Sequence, residues 1–231
     1  MIHLDGTDGN VNCGNDSSLD FVAQNFTISM RIKPTSPIGA RVLFCRSLVS
    51  VDGYYCGVVQ TPTNSLYMYV NTSGTFKQSR TVANVISIDQ EYHLIFQKDG
   101  TVGKIFVDGV ECSYSNSETL MNPATSSRNA YIGQYDTGGF RALGIMNEIA
   151  IWDAVLSLPE ISLLSNSKIK RMPLQIRPSN LQFYLPLDEV PDGITIHGKT
   201  FKDLSQNSND GTGSDAGGES VGRAEEVLSY P

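Results

Sequence analysis

Apolar and polar residues alternate with a period of two along much of the chain, the spacing of strands that bury one face. The cleanest run is FTISMRIK, in which Phe26, Ile28, Met30 and Ile32 are set to face a core and Thr27, Ser29, Arg31 and Lys33 to face water. Pro34 ends it. In YHLIFQKDGTVGKIFVDGVECSYS, Tyr92, Leu94 and Phe96 fall on one side of an extended segment and His93, Ile95 and Gln97 on the other. Asp99-Gly100 and Asp108-Gly109 interrupt this stretch with a dipeptide that tolerates the positive φ of tight hairpins, so Tyr92 to Ser115 predicts a three-strand antiparallel meander. Val42 to Cys45 and Tyr54 to Val59 flank Asp52-Gly53 as a further hairpin. Leu66 to Val70 follows, with Leu66, Met68 and Val70 inward and Tyr67 and Tyr69 outward.

The remaining elements are shorter. Ile2 to Leu4 reads as a strand with Asn10 to Cys13 as its return, and Ala130 to Gly133 and Ile145 to Trp152 read as two more. Ser157-Leu158-Pro159-Glu160 has the spacing of a capping box, a hydroxyl and a carboxylate that satisfy the unpaired amides of a helix start. It predicts one short helix with Ile161 and Leu164 on its apolar face. A basic segment, Lys168 to Arg171, leads through Pro173 and Pro178 to a last strand at Leu181 to Leu187, and the Gly-rich stretch from Asp203 to Gly222 reads as an extended tail. About a dozen strands, one short helix and closely spaced turns predict a two-sheet antiparallel sandwich.

Composition narrows the function classes. Charged residues make up 18% of the 231 residues and the net charge is -7, an acidic balance that opposes phosphate neutralisation, so a nucleic-acid partner is not expected. The first residues, MIHLDGTDG, have neither the basic nor the apolar part of an export signal, and no apolar run reaches transmembrane length. Cys13, Cys45, Cys56 and Cys112 lack metal-ligand spacing. With Asp52-Gly53 as a two-residue turn, Cys45 faces Gln60, roughly 13 Å from Cys56, beyond the ~7 Å limit of a disulfide, so reduced thiols are expected.

Phe26-Thr27-Ile28-Ser29 with Lys33-Pro34, then Lys104-Ile105-Phe106-Val107-Asp108-Gly109, Tyr131-Ile132-Gly133, and Asn147-Glu148-Ile149-Ala150-Ile151-Trp152-Asp153 with Leu156-Ser157 and Glu160-Ile161, resemble the laminin-G/pentraxin-like branch of the concanavalin A-like lectin/glucanase superfamily. The resemblance implies an all-β jelly-roll sandwich. FYLPLDE at 183–189, followed by DLSQNSNDG at 203–211, is similar to the segment that usually opens such a domain but closes this chain, which implies a circularly permuted strand or one donated to a neighbouring copy. The expected organisation is a core at 1–165, a basic linker at 166–180, and a segment at 181–231 that completes this domain or a neighbour.

Candidate chemistry is sparse. Asp203, Ser205, Asn207 and Asn209 alternate oxygen-bearing side chains before Asp210-Gly211, which suits either a structural calcium loop or a turn held by its own hydrogen bonds. By the resemblance, Asp5 and Asp153 join them as candidate calcium ligands. Tyr67 and Tyr69 are candidates for a sugar-stacking platform. Lys168, Lys170 and Arg171 are candidates for docking an acidic partner. Glu148 and Asp153 are five apart and would face opposite sides of a regular strand, against the paired carboxylates of a glycoside hydrolase, and His3, His93 and His197 lack a recognisable nucleophile, so no enzyme is expected. Two functions stay open, with a glycoside hydrolase as a remote third by analogy of fold alone. One is a virion structural protein, a capsid decoration or fibre module of the kind the closing pattern resembles in tailed phages, with capsid or tail proteins as partners, a homo-oligomer on the particle, and a glycan as a second ligand. The other is a stand-alone carbohydrate-binding lectin.

Overall fold

The computed structural model describes residues 1–35, 39–59, 63–166, 172–191, 193–215 and 221–222. Eight strands, numbered along the chain, form the first sheet: β10 (Val110–Glu111), β9 (Val102–Val107), β8 (Tyr92–Asp99), β3 (Phe26–Pro34), β13 (Leu143–Trp152), β1 (Ile2–Asp5) and β17 (Val221–Gly222) in spatial order, with β14 (Leu181–Leu185) also on β13. The second sheet runs β11 (Tyr114–Ser117), β7 (Thr75–Thr81), β6 (Ser65–Thr72), β5 (Asp52–Val59), β4 (Arg41–Leu48), β12 (Tyr131–Ile132), β2 (Asn10–Asn12), β16 (Gly211–Ser214) and β15 (Thr200–Phe201). Every pairing described is antiparallel. The sheets enclose one core, to which β3 gives Phe26, Ile28, Met30 and Ile32 and β6 gives Leu66, Met68 and Val70. Among the described residues, no helix is long and apolar enough to cross a membrane.

The first sheet is covered on both faces. Thr27 and Ser29, expected to face water, are buried, because residues 153–166 and 172–180 lie across that side. The helix α1 (Leu158–Asn166) sets Ile161 and Leu164 against Ile95, Phe106, Ala150 and Trp152 in a second core. Polar groups caught beneath are paired, as burial demands: Thr27 Oγ1 donates to Ala154 O at 2.7 Å, Gln97 Nε2 to Leu156 O at 3.0 Å, and Trp152 Nε1 to Ile176 O at 2.7 Å. The helix begins as its capping residues predict, with Ser157 N and Oγ each donating to Glu160 Oε2 at 2.7 Å. Arg177 closes a fork onto the same carboxylate at 2.6 and 2.8 Å.

Three expectations are corrected. Asn10–Asn12 is not the return of the first strand: it lies in the other sheet, reached through a loop in which Asp5 Oδ1 accepts from the amides of Thr7, Asp8 and Gly9. The β4–β5 turn is Val49-Ser50-Val51, with Ser50 in the left-handed region at φ 59, so Asp52 and Gly53 already belong to β5. Cys45 therefore opposes Tyr55 rather than Gln60, and it points outward while Cys56 points into the core, which keeps the two thiols on opposite faces. The Gly-rich stretch after Asp203 is no tail through Asp215, because Gly211–Ser214 pairs with both β2 and β15. Its glycines allow close approach: a Cβ on Gly213 would sit 2.1 Å from Ile196 O.

The meander follows its second Asp-Gly signal, while its first turn falls one residue later than expected, on Gly100-Thr101, because Asp99 still pairs with Val102. Asp108 (φ 49) and Gly109 (φ 83) form the two-residue turn between β9 and β10, after which β11 departs to the second sheet. β13 is paired along both edges. β3 takes one edge, and the other is shared end to end by β1, opposite Leu143 to Met146, and β14, opposite Ile149 to Trp152.

Candidate functional site

The second sheet turns its outer face away from both cores, and there β5, β6 and β7 assemble aromatic rings. Period-two alternation sends Tyr55 outward from β5, Tyr67 and Tyr69 from β6, and Phe76, Gln78 and Arg80 from β7, and the register sets Tyr55 beside Tyr69 and Tyr69 beside Gln78. Tyr55 and Tyr69 stack at 4.8 Å with their planes 5° apart. Tyr67 meets both edge-on, at 5.8 and 5.2 Å. Gly57 makes room for that ring: a Cβ there would lie 2.6 Å from the Tyr67 hydroxyl and 2.0 Å from Arg41 O, which accepts the hydroxyl's hydrogen bond at 3.1 Å.

A wall stands beside the rings. In the segment 133–141, Tyr135 packs edge-on against Tyr55 at 5.4 Å, and its hydroxyl accepts from Val49 N at 2.5 Å. Arg128 pins the segment by bridging Asp136 at 2.7 Å and Asp52 at 3.1 Å, and Arg141 Nε donates to Gly138 O at 2.9 Å. Phe140 projects from it, 57% exposed. Burial, with the neighbouring tyrosines adding to it, pushes the hydroxyls of Tyr55 and Tyr67 well above the usual phenol range, so both stay protonated and neutral. Their hydrogen bonds differ: Tyr67, Tyr69 and Tyr135 hydroxyls engage Arg41 O, Arg80 Nη2 and Val49 N, whereas Tyr55, half-buried at the centre, keeps its proton.

Of the two tyrosines predicted here, Tyr69 is half-buried and Tyr67 is only 5% exposed. Tyr67 supports the cluster from below and offers no flat face to a sugar. Alternation along Tyr54 to Val59 would have placed Tyr55 outward as well. Phe76 lies in TFKQSRT, which has no apolar alternation, and Tyr135 and Phe140 sit in a loop whose course depends on ion pairs distant in sequence.

The other predicted residues fall elsewhere. Asp203, Ser205, Asn207 and Asn209 are brought together in one turn, wired to β14. The Asp203 carboxylate accepts from Tyr184 N and Ser205 N at 2.8 Å on one oxygen, and from Ser205 Oγ at 2.9 Å and Asn209 N at 2.8 Å on the other. Asn207 Nδ2 donates to Gln182 O at 2.9 Å, and Asn209 Nδ2 to Ser18 Oγ at 2.9 Å. Calcium would have to displace four donors from the turn's one inward carboxylate, so the arrangement fits a self-bonded turn and not a cation cradle. Asp5 sits opposite Leu143 while Asp153 follows Trp152, so the length of β13, about 30 Å, separates them and no single ion spans both. Asp153 accepts from Asn180 Nδ2 at 2.7 Å and Gln182 Nε2 at 3.1 Å. Among the described residues, no three His, Cys, Asp or Glu side chains group as a metal site. Lys168, Lys170 and Arg171 lie outside the described residues.

Two features bear on catalysis. A bulge between Asn147 and Ala150, with Glu148 at φ 52, removes the strict parity assumed for Glu148 and Asp153. Glu148 instead accepts from the Tyr184 hydroxyl at 2.6 Å. His93 has serine neighbours that spacing did not reveal: Ser29 Oγ lies 2.7 Å from Nε2 and Ser165 Oγ 2.7 Å from Nδ1. The group is sealed under α1, with His93 3% exposed, and burial, seconded by Arg31, pushes the imidazole down to about 3.

No curated protein matches the chain. Among solved structures, a protein of Bacteroides ovatus ATCC 8483, provisionally named as carbohydrate binding, superposes with a TM-score of 0.64 at 16% identity, over 93% of this chain and 58% of its own. The chain thus spans under two thirds of that protein. Domain 4 of AbnA, a GH43 extracellular arabinanase from Geobacillus stearothermophilus solved with arabinotriose, gives 0.47 at 17% identity over 64% and 70% of the two chains. The heptameric SAP-like pentraxin of Limulus polyphemus gives 0.45 at 17% identity over 71% and 81%. At 16% identity the likeness to the Bacteroides ovatus protein is one of fold. The Laminin_G_3 model matches residues 5–162, and the chain accordingly belongs to this family of the concanavalin A-like lectin/glucanases superfamily.

Proposed function

We propose that this protein is a non-enzymatic, glycan-binding adhesion module that holds sugar on the outer face of the second sheet. The observation that carries the reading is the ring cluster around Tyr55: amphipathic rings at a water-facing surface, with a protonated hydroxyl at their centre, are what a carbohydrate's apolar faces and hydroxyls require. The opposite side of the sandwich is covered by residues 153–166 and 172–180, so the two outer faces are not equivalent. Support at the level of fold comes from the Bacteroides ovatus protein provisionally named as carbohydrate binding. The non-enzymatic part is supported by the enclosure of His93 with its two serines and by the engagement of Glu148 and Asp153 with Tyr184, Asn180 and Gln182.

A glycan array with the full chain, alongside a Tyr55→Phe variant, tests this. Binding that weakens in the variant supports it, and a wild-type chain that retains no glycan while a control lectin does would end it.

The carrier of the module is, in this reading, a viral particle, where it serves as a capsid decoration or fibre and assembles as a homo-oligomer. The reading is supported by the closing segments FYLPLDE and DLSQNSNDG and their similarity to phage laminin-G-like proteins. A mass-spectrometric inventory of purified particles tests it: stoichiometric presence agrees, and absence leaves a free lectin.

A further inference from the structure

The outer rings make a chain of contacts, with Tyr67 edge-on against its middle. Phe76, Tyr69, Tyr55, Tyr135 and Phe140 have successive centroid separations of 5.2, 4.8, 5.4 and 6.2 Å. The ends of the file are its open parts: Phe76 is 36% and Phe140 57% exposed, while Tyr135 between them is buried. Phe140 is unusual twice over. It keeps a large apolar ring in water, and its backbone sits in the left-handed region at φ 53, where a bulky L-residue is strained. Two glycines, Gly138 and Gly139, immediately precede it, and glycine is the residue that takes this conformation without cost. The backbone around Phe140 is fixed nonetheless, with Val42 N donating to Phe140 O at 2.7 Å and Tyr135 N to Gly139 O at 2.9 Å. The fold gains little packing from a strained, exposed phenylalanine. A ligand that covers the ring accounts for it.

The surroundings specify the ligand's chemistry. Arg80 Nη2 donates to the Tyr69 hydroxyl at 2.9 Å and to Gln78 Oε1 at 3.0 Å, Arg128 is held by Asp52 and Asp136, and Arg141 donates to Gly138 O and Asp8 O. The cations beside the file thus serve the protein itself, and the carboxylates are matched by Arg128, so the surface selects neither anions nor cations. An extended pyranose chain repeats at about 5 Å, close to the strand spacing of about 4.8 Å over which these rings are set.

Resting on the glycan-binding reading, we infer that Phe140 is a ligand-contacting residue and that the ring file takes an extended, uncharged oligosaccharide of about four units, laid across the strands from Phe76 to Phe140. Tyr55 supplies the central hydrogen bond. The wall formed by residues 133–141 is built before the sugar arrives, so little ordering is required on binding.

Titration calorimetry on the full chain, with cellotetraose, xylotetraose, mannotetraose and tetragalacturonate as probes, tests the inference. At least one neutral tetraose binds, its disaccharide binds more weakly, and Phe140→Ala lowers the affinity about tenfold. Phe140→Gly loses affinity equally yet raises the melting temperature by about 2 °C, because it relieves the left-handed strain. The opposite temperature shift would make Phe140 a structural residue and overturn the inference. So would a neutral tetraose bound equally well by wild type and both variants, tightest binding of tetragalacturonate, or a wild-type dimer in light scattering that Phe140→Ala dissociates. In each of these cases glycan binding on the array keeps the broader reading alive. A wild type that binds no glycan on the array overturns both.

Discussion

His93 makes stability depend on pH in a window where few other groups act. Its ring is buried between β3, β8 and α1, with Ser29 and Ser165 at its two nitrogens, Arg31 directly across the strand pair, Glu91 beyond Arg31 at 3.5 Å, and the Asp108 carboxylate on the His93 amide. The folded imidazole is pushed from 6.5 to about 3, by burial first and Arg31 second. The unfolded chain therefore takes up a proton near pH 6.5 that the folded chain refuses. Stability from this residue is complete above that pH and is lost progressively as pH falls towards 3. Linkage over the step gives a loss of roughly 2 kcal/mol between pH 7 and pH 5, and at most roughly 5 kcal/mol in all, both orders of magnitude. The carboxylates held low, Asp5, Asp16, Glu160 and Asp210, add their own losses only in the more acidic range. Urea unfolding followed by the fluorescence of Trp152, the single tryptophan and fully buried, measures this directly. His93→Gln keeps a donor and an acceptor at the position, so it should be less stable at pH 7 and nearly flat from pH 7 to 5. A variant with the slope of the wild type would refute the assignment.

Three further outcomes are expected. Gly57→Ala forces a Cβ to within 2.0 Å of Arg41 O and should cost about 2–3 kcal/mol, while disturbing Tyr67 and the near-ultraviolet dichroism of the ring cluster. Asp203→Asn replaces two acceptor oxygens by one and sets an amide against the donors of Tyr184, Ser205 and Asn209; a loss of about 2 kcal/mol is expected in urea, and in the wild type EDTA or calcium should move the melting temperature by less than about 1 °C. Glu160→Gln weakens both the helix cap and the Arg177 fork at a half-exposed site, worth about 1 kcal/mol near neutral pH. Glu160 is held down to about 2, chiefly by the Arg177 hydrogen bonds, so its contribution is present above the usual carboxylate range and disappears as pH falls towards 2. Acid titration of the wild type and the variant should converge there.

Much of the fold was legible because alternation, Asp-Gly turns and a capping box are local signals. β3, the β8–β9 hairpin and α1 formed where those signals stood. What failed was set by partners distant in sequence. Thr27 and Ser29 read as solvent-facing, because nothing in β3 announces that residues 153–166 and 172–180 will cover them. The Asp52-Gly53 pair was displaced by a turn one step earlier, where Ser50 took the left-handed position. The Gly-rich segment near Gly213 read as loose, although its missing side chains serve a tight approach to Ile196. The site was legible only in part. Tyr67 and Tyr69 lie on a regular strand whose alternation sends them to the outer face, as expected, but Phe140, at an exposed end of the ring file, depends on a loop pinned by Arg128, Asp52 and Asp136.

The sharing of one β13 edge by β1 and β14 sets a schedule on the ribosome. A nascent chain that has emerged only as far as α1 can pair β13 with β3 and β1, yet Ile149 to Trp152 present unpaired amides and carbonyls, and Ala150 and Trp152 lack the cover of Leu181, Ile176 and Met172. β2 likewise waits for Gly211–Ser214. Such an open edge is a template for joining another chain. Translation must pass residue 185 before the β13 edge is covered and residue 214 before β2 is, so release of a truncated product, more than any surface substitution, is the event most apt to drive this protein into aggregates.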